Sequence, residues 1–187
     1  MKTDTSEKGL ESLIVAALTG HDDESAPEPD KVRYQARGYG GAGYVQGDPR
    51  DYDRNHAVDL VKLLSFLEDI QPETVETLAI GQDGSKRRQF LARLEGEIAK
   101  FGVVHVLRHG IKQGPATVSL FFGTPSPGNK KAEELYRSNI SSATRQLCYS
   151  RDETQLALDL CLFINGLPVA TFELKNRLTK QLSLIHI

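Results

Sequence analysis

The sequence predicts an α/β domain, a mixed β-sheet flanked by helices. Apolar residues recur at helical spacing in three separated stretches. The C-terminal part instead holds two β-rich runs, 156–164 and 169–174, on either side of Asn165-Gly166, the signature of a β-hairpin. At 187 residues the chain fits one domain large enough to bury its own core.

Leu10, Leu13, Ile14, Ala17 and Leu18 predict an amphipathic helix over 7–18, with Glu11 on the flank of its apolar stripe and Gly20 ending it. Residues 22–30 are acidic and carry Pro27 and Pro29, which reads as a surface loop. The Gly-rich stretch 38–44 lacks the Gly-Lys-Ser/Thr of a phosphate-binding loop and reads as flexible, with Tyr39 and Tyr44 as its only stacking surfaces. A second helix is expected over 51–69, placing Ala57, Leu60, Val61, Leu64 and Leu67 on one face and His56 on its surface, until Gln71-Pro72 stops it.

A third helix opens at Lys86-Arg87-Arg88, buries Phe90, Leu91, Leu94 and Ile98, and ends at Gly102. Cations at a helix N-terminus oppose its dipole, so these three are candidates for contact with phosphates. Residues 103–108 (VVHVLR) and 117–122 (TVSLFF) predict strands joined through Gly110 and Gly114, with His105 a structural histidine inside the first. A turn-rich link over 125–131 leads to a short helix at 132–139 and a strand at 145–149. Chain order places Arg137 and Arg145 where a phosphate backbone would approach.

Net charge is only −2, which excludes a global basic field. A nucleic-acid enzyme of this charge needs a local basic patch or a partner that delivers its substrate. The two cysteines, Cys148 and Cys161, lack metal-ligand spacing and fit a reduced, cytoplasmic compartment. No signal peptide and no apolar run of transmembrane length is present, so a soluble protein without a membrane partner is expected.

Chemistry concentrates in the hairpin. Asp159 interrupts an apolar run, and an acid there is costly unless a cation or metal neutralises it. Glu173-Leu174-Lys175 is the sole Glu/Asp-x-Lys triplet, and residues two apart on a strand share a face. Two carboxylates and an ammonium converging there form a hard-oxygen site suited to Mg²⁺, with room for waters and a phosphate. Asp159 and Glu173 would be the metal ligands, and Lys175 would orient the attacking water in phosphodiester hydrolysis. Register constrains this reading. A plain two-residue loop pairing Ile164 with Leu167 turns Asp159 away from Glu173, so an odd loop or a bulge is required, for which Gly166 and Pro168 are suitable residues.

The segment ALDLCLFINGLPVATFELKN resembles the nuclease core of the R (restriction) subunit of type I restriction-modification enzymes, whose N-terminal domain is similar to the PD-(D/E)xK nucleases. GVVHVLRHGIK, LYRSNI and RQLCYS resemble the segments preceding that core, and LTKQ resembles the segment after it; the likeness runs from about Glu11 to Gln181. It implies a restriction-endonuclease-like fold over 1–181 and an Mg²⁺-dependent endonuclease acting on unmodified double-stranded DNA. It also implies methyltransferase (M) and specificity (S) subunits as partners, and Glu11 as a further catalytic residue contributed by the first helix. ATP is implied only for a parent protein, through motor domains this chain lacks; no Walker A sequence occurs. Leu182–Ile187 departs from the family and suggests an artefactual tail on a domain truncated at its C-terminus. Two other functions share the core: a stand-alone or repair nuclease working without a motor, and an interaction domain without cleavage.

Overall fold

A computed structural model describes residues 7–20, 42–152 and 156–174. Lys175, the 22–30 loop, most of the Gly-rich stretch and the 182–187 tail lie outside the described residues. The elements are α1 (Glu7–Thr19), β1 (Val45–Gln46), β2 (Tyr52–Asp53), β3 (Val58–Asp59), α2 (Leu60–Ile70), α3 (Pro72–Leu78), α4 (Ser85–Phe101), α5 (Val103–His109), β4 (Ile111–Gln113), β5 (Ala116–Val118), α6 (Lys130–Arg137), β6 (Ser141–Cys148), β7 (Ala157–Ile164) and β8 (Leu167–Phe172). The main sheet has the order β1-β6-β7-β8; β1 runs parallel to β6, and the other neighbours are antiparallel. The fold is therefore α/β with a mixed sheet, as expected.

Three local expectations are corrected. The helix expected over 51–69 begins only at Leu60. Ala57 has φ 55°, which a helix interior does not accept, and the Asp59 carboxylate starts the helix by accepting from Lys62 N at 3.0 Å. Residues 103–108 are helical, not a strand. Gly102 at φ 85° lets the chain turn out of α4, and Val106 and Leu107 then face the core at helical spacing. His105 consequently lies on an exposed helical face rather than inside a sheet. The strand expected over 117–122 stops at Val118, because Gln71 takes over as partner: Ser119 N donates to Gln71 Oε1 at 2.9 Å and Gln71 Nε2 to Ser119 O at 2.7 Å.

Leu63, Phe66, Leu67, Phe90, Leu94, Ile80 and Leu120 form the larger core between helices α2 to α5 and the β4–β5 ribbon, and Leu167 from the start of β8 belongs to it. On the main sheet Leu160 and Leu162 alternate with Cys161 and Phe163 and face opposite ways. The first pair meets Val15 of α1; the second packs with Leu147 and Tyr52. Among the described residues no helix is long and apolar enough to cross a membrane.

Candidate functional site

The hairpin of β7 and β8 turns through Asn165 (φ 50°) and Gly166 (φ 80°), a two-residue loop of the type in which both positions are left-handed. Its tip is fastened to the helical layer. Asn165 N donates to Ile140 O at 2.7 Å, its Oδ1 accepts from Ile140 N at 2.6 Å, and its Nδ2 donates to Leu120 O at 2.8 Å. Gly166 O accepts from Asp59 N at 2.8 Å, at the start of α2.

Beyond the tip the register changes. Ile164 pairs with Leu167 and Phe163 with Pro168, whereas Leu162 pairs with Ala170 and Leu160 with Phe172, which leaves Val169 as an extra residue on β8. A plain two-residue loop would turn Asp159 away from Glu173. The Val169 bulge adds the missing residue: in the register of Leu160 with Phe172, one further step of ladder would bring Asp159 across from Glu173. There β8 leaves the ladder, and Leu174 N donates to Asp159 Oδ2 at 2.6 Å, so the carboxylate takes the place of a strand acceptor.

On the other side of β7, the β6 ladder pairs Arg145 with Leu160 and Leu147 with Leu158 but skips the step between them, where Gln146 stands across from Asp159. Gln146 has φ 48°, an uncommon conformation for a non-glycine residue and the kind of local irregularity that recurs at functional sites. Its Nε2 donates to Glu11 Oε2 at 2.9 Å, while Arg145 Nε donates to Glu11 Oε1 at 2.5 Å. Glu11 is 3% exposed. α1 thus delivers Glu11 to Gln146, the residue at the skipped step, and to its neighbour Arg145.

The family model of the type I restriction enzyme R protein N terminus matches residues 73–183. The chain belongs to this family. The match takes in Asp159, Glu173 and Lys175 and begins after Glu11. Comparison with curated proteins and with solved structures gives no match.

Other charged residues of this R-protein domain have structural partners. Arg87 donates from Nε to Ile80 O at 2.9 Å and from a terminal nitrogen to Gly81 O, fastening the entry to α4. Arg88 lies 3.9 Å from Asp83, and Arg137 pairs with Glu133 one turn away. Arg145 is not aimed outward at a phosphate backbone but is held in the buried pair with Glu11. His56 Nδ1 is 2.9 Å from Asp53 Oδ2.

Among the described residues no group of three or more His, Cys, Asp and Glu side chains could hold a metal. Asp159 and Glu173 are two. Mg²⁺ is commonly bound through one or two carboxylates and completes its shell with waters and phosphate oxygens, so this pair fits it. Asp159 is half-buried and oriented by Leu174, whereas Glu173 is exposed. Sequence reasoning missed Gln146 and the Val169 bulge. Neither has a local signal, since each depends on what the neighbouring strand or helix presents.

Proposed function

We propose that this R-protein domain is an Mg²⁺-dependent endonuclease that hydrolyses phosphodiester bonds of unmodified double-stranded DNA. It would work in a complex with methyltransferase and specificity subunits and would be driven by ATP-dependent motor domains of the parent protein. The observation that supports this most is the bulged register between Leu162 and Phe163, the irregularity that an Asp159–Glu173 site requires, in a family named for restriction.

Asp159 and Glu173 would hold Mg²⁺, which when bound supplies charge neutralisation at the phosphate and a lowered pKa for the attacking water. Asp159 enters that role pre-oriented, because Leu174 N–H fixes one of its oxygens. Exposed Glu173 leaves the open side to substrate and water. Lys175 would hold the water or the developing negative charge. Glu11 would act as a positioning residue, holding Gln146 across from Asp159.

The test is plasmid cleavage by the parent R protein assembled with its methyltransferase and specificity subunits, with Mg²⁺ and ATP. Asp159→Ala and Lys175→Ala should each abolish cleavage while DNA-stimulated ATP hydrolysis continues. A Lys175→Ala enzyme that cut DNA at the parental rate would remove the lysine from the mechanism, and the same result for Asp159→Ala would remove the site.

A further inference from the structure

A nuclease of net charge −2 must meet its polyanionic substrate through a local patch. Lys86-Arg87-Arg88 does not supply it, since Arg87 is spent on the carbonyls of Ile80 and Gly81. A different stretch does. Between Glu97 and Glu133 the chain holds no Asp or Glu, yet it contains Lys100, Arg108, Lys112, Lys130 and Lys131 together with His105 and His109.

Helix α5 lies within this stretch. Val106 and Leu107 are buried, and the opposite face presents Val104, His105, Arg108 and His109 to solvent. Phe101, at the end of α4, prolongs that face; it is 47% exposed and Val104 is 55% exposed. The stripe is ordered by its own stacking. Lys100 Nζ lies 4.7 Å from the Phe101 ring centroid, His105 stacks on Phe101 at 4.9 Å, and His109 stacks on His105 at 4.1 Å. His109 Nδ1 is 2.9 Å from His105 O, a group that only accepts, so Nδ1 carries the hydrogen and the ring is held in place along the helix. Among the described residues Arg108 and Lys112 enter no ion pair.

The buried side of α5 packs against β8, the strand that leads into Glu173. Val103 of α5 and the bulge residue Val169 share one core. We propose that the outer face of α5, with Arg108 and the flanking Lys100 of α4 and Lys112 of β4 as its cations and Phe101, Val104, His105 and His109 as its contact surface, docks the phosphate backbone of duplex DNA. The proposal rests on the nuclease reading for its ligand but not on the metal ligands. Charge selects the partner: a stretch of 35 residues without an acid, carrying cations in no ion pair, complements a polyanion, while a protein surface of mixed charge gains nothing from it.

The decisive experiment is carried out in the assembled enzyme, with a photoreactive benzoylphenylalanine replacing Val104. Irradiation during DNA engagement should crosslink the domain to DNA. A crosslink only to another subunit, or none to DNA, overturns the proposal and marks the face as a protein interface or an idle surface. As a second measurement, the full chain in EDTA should bind a fluorescent duplex about tenfold more weakly when Arg108→Glu and Lys112→Glu are combined. The slope of log affinity against log salt should fall by about two, one for each lost phosphate contact. Unchanged thermal melting shows that the fold is intact. Because EDTA withholds the metal, this binding does not depend on the catalytic assignment, so failure of that assignment and failure of the docking face give different results.

Discussion

Glu11 is the most deeply committed charge near the candidate site. Its two oxygens serve Arg145 and Gln146, and the Arg145 side chain is only 16% exposed. Removing one partner of such a pair strands the other charge, at a cost on the order of 3–5 kcal/mol. Glu11→Ala should lower unfolding stability by that order in a urea titration and, by freeing Gln146, reduce cleavage as well. Cys161 makes a prediction with pH. Burial among Phe163, Leu147 and Tyr52 pushes its thiol from an ordinary 9.0 up to about 12. Between those values the unfolded chain loses the proton and the folded chain keeps it, so stability falls as pH rises from about 9 to about 12. Cys161→Ala should flatten that part of the stability profile, as read by denaturant midpoints at stepped pH. Sequence showed Asp159, Glu173 and Glu11 as candidates through residue type and resemblance. It did not show that Glu11 would be buried, because Arg145 and Gln146 reach it from strand β6, far along the chain.

At the scale of elements, the hairpin satisfies two demands at once. Its tip must dock on α2, and a Cβ on Gly166 would lie 2.4 Å from Asp59 O and 2.7 Å from Leu63 N, backbone atoms that cannot give way. Gly166→Ala, strained also by φ 80°, should cost well over ~1 kcal/mol in thermal or chemical unfolding. The far end must pair with β7 so that Leu160 meets Phe172, and Val169 absorbs the one-residue difference. Deleting Val169 should leave a folded domain whose cleavage falls by orders of magnitude, since the rest of β8 would turn its faces over. A deletion variant that cut DNA normally would show that this register is not what assembles the site. The hairpin itself was legible from Asn165-Gly166 and the β-rich runs around it. The bulge was not, because it arises from two docking constraints at opposite ends of the strand. Helix α5 was misread because its valines favour a strand locally. Tertiary context decided otherwise, as Val103, Val106 and Leu107 reach the core only at helical spacing.

Across the whole molecule, the two ends of the hairpin belong to regions of different firmness. The tip sits in the largest core: Leu167 and Asn165 are fully buried, and Asn165 is bonded to Ile140, Leu120 and Asn139. Toward Asp159 and Glu173 burial declines, with Thr171, Phe172 and Glu173 exposed, and the Leu174 amide is held by a single carboxylate. Local opening should therefore start at the site end, as is common for ligand-binding segments. Native-state hydrogen exchange should find amides 163–167 opening only near the global unfolding free energy and amides 172–174 far sooner. Asp159→Ala should speed exchange at Leu174 without touching the tip. If the faster exchange spread to 163–167, the hairpin would be one cooperative unit and the contrast between a clamped tip and a yielding site would be lost. If it stayed at Leu174, metal bound by Asp159 and Glu173 should slow that same amide, giving a readout of site occupancy that needs no DNA.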